Sequence, residues 1–94
     1  MVSIVATIKV KPGQEAAFEA VAKELMAAVA ANEPGCEYYR LHKSATPGTY
    51  VFLERYKDDA AIDAHRKTDH FRALGKQMGE HMDGRPEVLV LQEV

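Results

Sequence analysis

The segment Glu87–Val94 (EVLVLQEV) carries apolar side chains on both of its sides, Val88 and Val90 toward one and Leu89 and Leu91 toward the other. Successive side chains of an extended chain alternate between faces, and water should not meet all four. Such a strand needs cover twice over. Val5, Val51 and Leu53 add to the demand, because they too place apolar groups on the second side of their strands. A chain of 94 residues builds only one hydrophobic core, so its own helices can cover one face and the other must be met from outside. The simplest outside source is a second copy, which predicts a homodimer; the bland alternative is a twisted sheet that tolerates exposed valines.

The remaining elements follow from periodicity and its interruptions. Residues 2–10 alternate, with Val2, Ile4, Ala6, Ile8 and Val10 on one face, and read as a strand. Pro12 and Gly13 break it. From about Gln14, Phe18, Val21, Leu25 and Val29 recur at helical spacing among alanines, until Asn32, Pro34 and Gly35 end the helix by disfavouring its geometry and permitting a turn. Cys36–Lys43 and Tyr50–Tyr56, rich in aromatic residues and joined by Thr46, Pro47, Gly48 and Thr49, predict a hairpin. Asp58 or Asp59 can cap a short helix bearing Ile62 and His65, and Thr68 a second one with the stripe Phe71, Leu74, Met78 and Met82. Gly84 and Pro86 precede the last strand. The order βαββααβ predicts one α+β domain over residues 1–94, ferredoxin-like, a four-stranded antiparallel sheet with helices on one face.

Composition excludes several classes of function. With 12 Lys and Arg against 14 Asp and Glu, the chain has no general excess of cations to neutralise phosphates, so nucleic acid is not an expected partner. Cys36 is the single cysteine, so an intrachain disulfide and a thiolate metal cluster are both excluded, and a reducing, cytoplasmic setting is expected. The first residues, MVSIVATIKV, are interrupted by Ser3, Thr7 and Lys9 and do not read as a signal peptide. No apolar run approaches the length that spans a bilayer. Neither a glycine-rich phosphate loop nor a His-rich metal motif is present, so no cofactor and no metal is expected.

The polar groups that look out of place lie between Glu54 and Phe71 (ERYKDDAAIDAHRKTDHF). Phe52, Glu54 and Tyr56 share one strand face, which puts a carboxylate between two rings on a largely buried strand. His65 follows Ile62 by three residues and shares the inward side of its helix. Glu54 and His65 can therefore meet as an oriented acid–base pair, since an imidazole of intrinsic pKa about 6.5 exchanges protons near neutrality and a carboxylate beside it favours its charged form. The bland alternative is a hydrogen bond that joins helix to sheet without chemistry. His70 is a candidate for the pocket rim, Tyr39 for its wall, and His42 and His81 for solvent.

The run Ile8–Phe18 (IKVKPGQEAAF), the stretch Glu33–Leu41 (EPGCEYYRL), the pair Glu54 and Tyr56, and Ala64–Phe71 (AHRKTDHF) together resemble the antibiotic biosynthesis monooxygenase (ABM) family of small dimeric α+β barrel proteins. The resemblance covers nearly the whole chain and implies a cofactor-independent monooxygenase that oxidises a quinol or other electron-rich phenolic or polyketide-like substrate with molecular oxygen. It implies catalytic roles for His65 and Glu54, and substrate binding by Tyr39, Phe52, Tyr56, His70 and Phe71. Many members of the monooxygenase branch have tryptophan where this chain has Tyr56. Phospho-autoinducer isomerases resemble the same stretch with a tyrosine there, so proton transfer on an enolisable ligand is the alternative reaction, and a non-catalytic ligand-binding dimer the third reading. Haem-degrading relatives use an asparagine on the first strand, where this chain has Thr7.

Overall fold

The computed structural model describes residues 1–94. Seven elements appear in the predicted order: β1 Val2–Lys9, α1 Glu15–Asn32, β2 Cys36–Lys43, β3 Thr49–Tyr56, α2 Asp59–Lys67, α3 Asp69–Gly79 and β4 Glu87–Gln92. The strands form one antiparallel sheet in the order β2-β3-β1-β4, the ferredoxin-like α+β arrangement. No helix is long and apolar enough to cross a membrane.

Local chemistry explains the boundaries. Gly13, at φ 83°, turns the chain from β1 into α1, and Gly48, at φ 78°, turns the β2–β3 hairpin. The Asp58 carboxylate accepts from Ala61 N–H at 2.9 Å to start α2. Thr68 alone separates α2 from α3: its hydroxyl donates to His65 C=O at 2.8 Å and accepts from Phe71 N–H at 3.2 Å. This one-residue corner brings the His65 and Phe71 rings to 4.5 Å. Gly35 departs from expectation, because its φ is not positive. It is needed for space: a Cβ there would lie 2.8 Å from Ala61 Cβ, so glycine lets the end of α1 press against α2.

On the helix face, Val2, Ile4, Ala6 and Ile8 of β1 and Tyr50, Phe52 and Tyr56 of β3 pack against Phe18, Ala22, Leu25 and Val29 of α1. Val21, expected on that stripe, is only partly buried, and Ala22 takes the inward place. The α3 stripe is likewise shorter than expected, since the helix ends at Gly79 and Met82 instead bridges Val10. His42 and His81, expected in solvent, are half-buried, with His81 Nδ1 2.9 Å from Gln14 Oε1. Fully burying a Phe or Leu side chain contributes about 1.5–3 kcal/mol, so Phe18 and Leu25 are principal anchors of the fold.

The register aligns Leu53, Val5 and Leu89 in one row across the other face of the sheet. Val88 and Val90 lie on the helix face, yet β4 is exposed along its whole length.

Candidate active site

An apolar cavity of about 430 Å³ opens between the helix face of the sheet and α2 and α3. Ile4, Ala6 and Phe52 form its floor, and Phe71 and Met78 stand on the opposite side. Tyr39, Glu54 and His65 also line it, so five of the seven sequence-derived site residues share one cavity. Tyr56 and His70 do not line it.

Tyr39 reaches the cavity through a local irregularity. Cys36 faces Tyr56 across the hairpin, but the register shifts between Cys36 and Tyr38, so that Tyr39, not Tyr38, faces Glu54. The extra residue turns Tyr39 inward and Tyr38 outward, and the Tyr39 ring packs 4.9 Å from Phe52 and 5.2 Å from His65. Burial, followed by the Glu54 and Glu33 charges, pushes the Tyr39 phenol well above its ordinary range, which suits a wall more than an acid.

Glu54 is not the partner of His65, as the sequence led us to expect. Tyr56, completely buried beneath the cavity wall, donates its hydroxyl to Glu54 Oε1 at 2.6 Å and fixes that carboxyl along its own strand. His65 Nδ1 instead lies 2.7 Å from Glu33 Oε1. Glu33 Oε2 reaches further to His70 Nε2, at 2.5 Å, so one carboxylate bridges two imidazoles. The physical reason is the corner after α1. Glu33 N–H bonds to Val29 C=O at 3.0 Å, Cys36 N–H to Glu33 C=O at 3.1 Å, and Lys57 N–H to Gly35 C=O at 2.9 Å, which together seat the Glu33 side chain over α2.

Sequence reasoning missed Glu33 as a site residue although it stands in EPGC. A signal was there: an acidic group at a helix C-terminus meets the negative end of the helix dipole, so its presence asks for another cause.

A carboxylate only accepts hydrogen bonds, so His65 carries its hydrogen on Nδ1 and leaves the lone pair on Nε2. Nε2 has no hydrogen-bond partner in the chain. The one fully buried, unpartnered side-chain N or O atom is Glu15 Oε1, so His65 Nε2 must reach open space, and the space it borders is the cavity. Burial lowers the His65 pKa below its ordinary value, outweighing the opposing effect of Glu33. The expected shift toward the charged form is therefore reversed. Glu54 moves the other way: burial raises it to about 7, against the lowering effects of the Tyr56 hydrogen bond and the Arg66 charge. A neutral base and a carboxyl that changes charge near neutrality thus line the same apolar cavity.

Of the basic residues, Arg66 and Arg85 line the cavity, and neither is in an ion pair. Arg40 and Arg55 face the other side of the sheet, where Arg55 pairs with Glu93. Cys36 is half-buried, and burial, followed by the Glu33 charge, pushes its thiol up to about 11, so it is a poor nucleophile. No group of three or more His, Cys, Asp or Glu side chains is arranged to hold a metal ion.

Comparison with known proteins bears on the family and the fold. Over 81 residues the chain is 36% identical to YcnE of Bacillus subtilis, covering 83% of this chain and 85% of that protein. Over 90 residues it is 32% identical to Rv0793 of Mycobacterium tuberculosis, covering 96% and 88%. Both relatives are named as candidate monooxygenases. A candidate antibiotic biosynthesis monooxygenase from Caulobacter crescentus superimposes with TM-score 0.95 at 45% identity, covering 99% of this chain and 89% of that one. The Rv0793 structure superimposes with TM-score 0.90 at 30% identity, covering 99% and 94%. The family profile described as antibiotic biosynthesis monooxygenase matches residues 1–77, and the chain belongs to that family.

Proposed function

We propose that the chain is a cofactor-independent monooxygenase that oxidises a quinol or another electron-rich phenol with molecular oxygen. The observation that carries this reading is the free Nε2 of His65, held by Glu33, at the edge of an apolar cavity. Triplet oxygen reacts slowly with a closed-shell phenol, whereas a phenolate is a much better one-electron donor. Deprotonation is then the protein's main contribution, and His65 Nε2 takes the phenolic proton. One electron passes from phenolate to oxygen, and the two radicals combine to form a C–O bond at a ring carbon that bears hydrogen. The peroxide anion so formed takes back the proton held at His65 Nε2, and the hydroperoxide then loses its ring hydrogen as a proton to water while its O–O bond breaks, leaving C=O on the ring and a departing hydroxide. Glu54 in its protonated form supplies the proton to the departing oxygen. Tyr39, Phe52 and Phe71 hold the ring and exclude water, with Tyr56 positioning Glu54 from below.

Protein stripped of metal and flavin, offered a panel of quinols, should consume one oxygen molecule per quinone formed. Activity that disappears on chelation and returns with iron or haem would refute the mechanism.

Arg66 and Arg85 favour a second reading, in which the same histidine moves a proton on an enolisable, anionic ligand and no oxygen is used. Solvent deuterium entering a sugar phosphate without oxygen uptake would select it. Binding of either ligand class without turnover would leave a non-catalytic ligand-binding dimer. Whichever applies, the row Leu53, Val5 and Leu89 supports a second copy of the chain on the open face, in the cytoplasmic setting expected of a chain with one unpaired thiol.

A further inference from the structure

A base that takes a proton inside an apolar cavity carries a positive charge there until it gives the proton back. Water can do little to offset that charge, since the His65 side chain is only 4% exposed. His70, on the far side of Glu33, is 18% exposed and does not line the cavity.

Both nitrogens that face Glu33, Nδ1 of His65 and Nε2 of His70, are donors to its carboxylate. Each imidazole therefore has one further nitrogen directed elsewhere. That of His65 faces the cavity. His70 Nδ1 has no partner in the chain and is not sealed, since Glu15 Oε1 is the one buried side-chain polar atom left unpaired, so it opens outside the cavity.

Charge counting then limits the cluster. One carboxylate balances one imidazolium, and a second positive charge would go uncompensated in a largely buried site. We propose that His65 and His70 share a single positive charge across Glu33, so that a proton taken from substrate at His65 Nε2 is matched by one released to water from His70 Nδ1. The bond changes balance: the substrate O–H breaks and His65 Nε2–H forms, while His70 Nδ1–H breaks and water or buffer receives the proton. Neither hydrogen bond to Glu33 has to open. Before the step the charge lies on His70 and leaves His65 a neutral base; after it the charge lies on His65, until the bound intermediate takes the Nε2 proton back and His70 Nδ1 recovers one from water. His70 thus acts through Glu33 as a positioning and proton-exit residue, not as part of the pocket rim.

The other groups facing His65 are Arg66 on its own helix, Glu54 and Tyr56 on β3, and Tyr39 on β2, while Cys36 lies near Glu33. Arg66 and His70 both disfavour a charge on His65, and Glu33 favours it. Asp69 and Arg72, beside His70 on α3, are exposed.

This inference rests on His65 being the proton acceptor, which the oxygenase and isomerase readings share. The test is a pH titration of the full chain labelled with ¹⁵N-histidine, following His65 and His70 separately in the wild type and in His70→Gln. The glutamine keeps an N–H for Glu33 but carries no proton charge. In the wild type the two histidines should titrate in coupled steps, and in His70→Gln the proton affinity of His65 should rise by about threefold or more. Independent single steps in the wild type overturn the proposal, whether or not the variant folds, as does an unchanged His65 curve in a folded variant. Oxygen uptake by His65→Ala separates the two levels. If that variant retains turnover, the function reading fails; if it is inactive while the titrations are uncoupled, the exit fails alone.

Discussion

β3 and β4 are both antiparallel neighbours of β1, yet they have opposite surroundings. The inward face of β3 carries Tyr50, Phe52, Glu54 and Tyr56, all buried under helices. On the same sheet face β4 carries Val88 and Val90, each 50% exposed, and on the other side Leu89 and Leu91 at 60% and 48%. The covered strand holds the polar groups, and the bare strand is apolar on both sides. Burial is what raises the proton affinity of Glu54, and it is available only where the chain supplies its own cover. An apolar strand left bare serves where the cover comes from elsewhere. Val88 lines the cavity, so the two environments meet at its mouth.

Removing the histidine from the covered side should produce the largest effect. In His65→Ala, turnover is expected to fall by ~10²–10⁴, the usual worth of a general base, while the chain still folds cooperatively. Early melting with activity retained would reduce His65 to a link between helix and sheet. On the bare side the corresponding break is Leu89→Glu, which places a charge in the Leu53, Val5 and Leu89 row. Light scattering should report twice the chain mass for the wild type and a monomer for the variant; a monomeric wild type would remove the second copy altogether. A smaller effect is expected where the covered side depends on close approach. Gly35→Ala forces a Cβ to within 2.8 Å of Ala61 Cβ, which should cost about 1–3 kcal/mol and lower turnover by displacing Glu33 from His65. Chemical denaturation and the His65 nitrogen shifts measure the two consequences separately.

The difference between the strands also marks what was legible in the sequence. Alternation exposed the two-sided apolar pattern of β4, and Asp58 and Thr68 announced their helices because capping is local chemistry. Phe52 and Glu54 could be placed on one face for the same reason. The partner of His65 could not be read in that way. Glu33 is 32 positions away, and its approach depends on Gly35 nestling against Ala61, a contact with no period. Glu54 was the nearer carboxyl in sequence, but its own Tyr56 captured it two residues on. The inward turn of Tyr39 was visible as alternation, whereas the register shift that sends it, and not Tyr38, to the Glu54 side was not.

The smallest effect tests whether cover really changes the chemistry of Glu54. Its carboxyl is raised from 4.5 to about 7, chiefly by burial. Between those values the folded chain holds a proton that the unfolded chain has released, so wild-type stability falls as pH rises through this window and levels off above it. His65 acts in the opposite sense. Because its folded pKa lies below the ordinary 6.5, it adds stability as pH rises toward that value. The two slopes overlap, and a single melting curve against pH would not resolve them. Glu54→Gln removes one and keeps the other, because the glutamine oxygen still accepts from Tyr56 and His65 is bound by Glu33. The melting difference between variant and wild type should be near zero below about pH 4.5 and grow to a plateau above about pH 7. A shift of this size corresponds to at most about 3–4 kcal/mol, and water entering the open cavity should reduce it to about 1–2 kcal/mol in favour of glutamine. A difference that does not vary with pH would mean that Glu54 ionises as it does in water, and the contrast between the covered and the bare strand would then be one of packing alone.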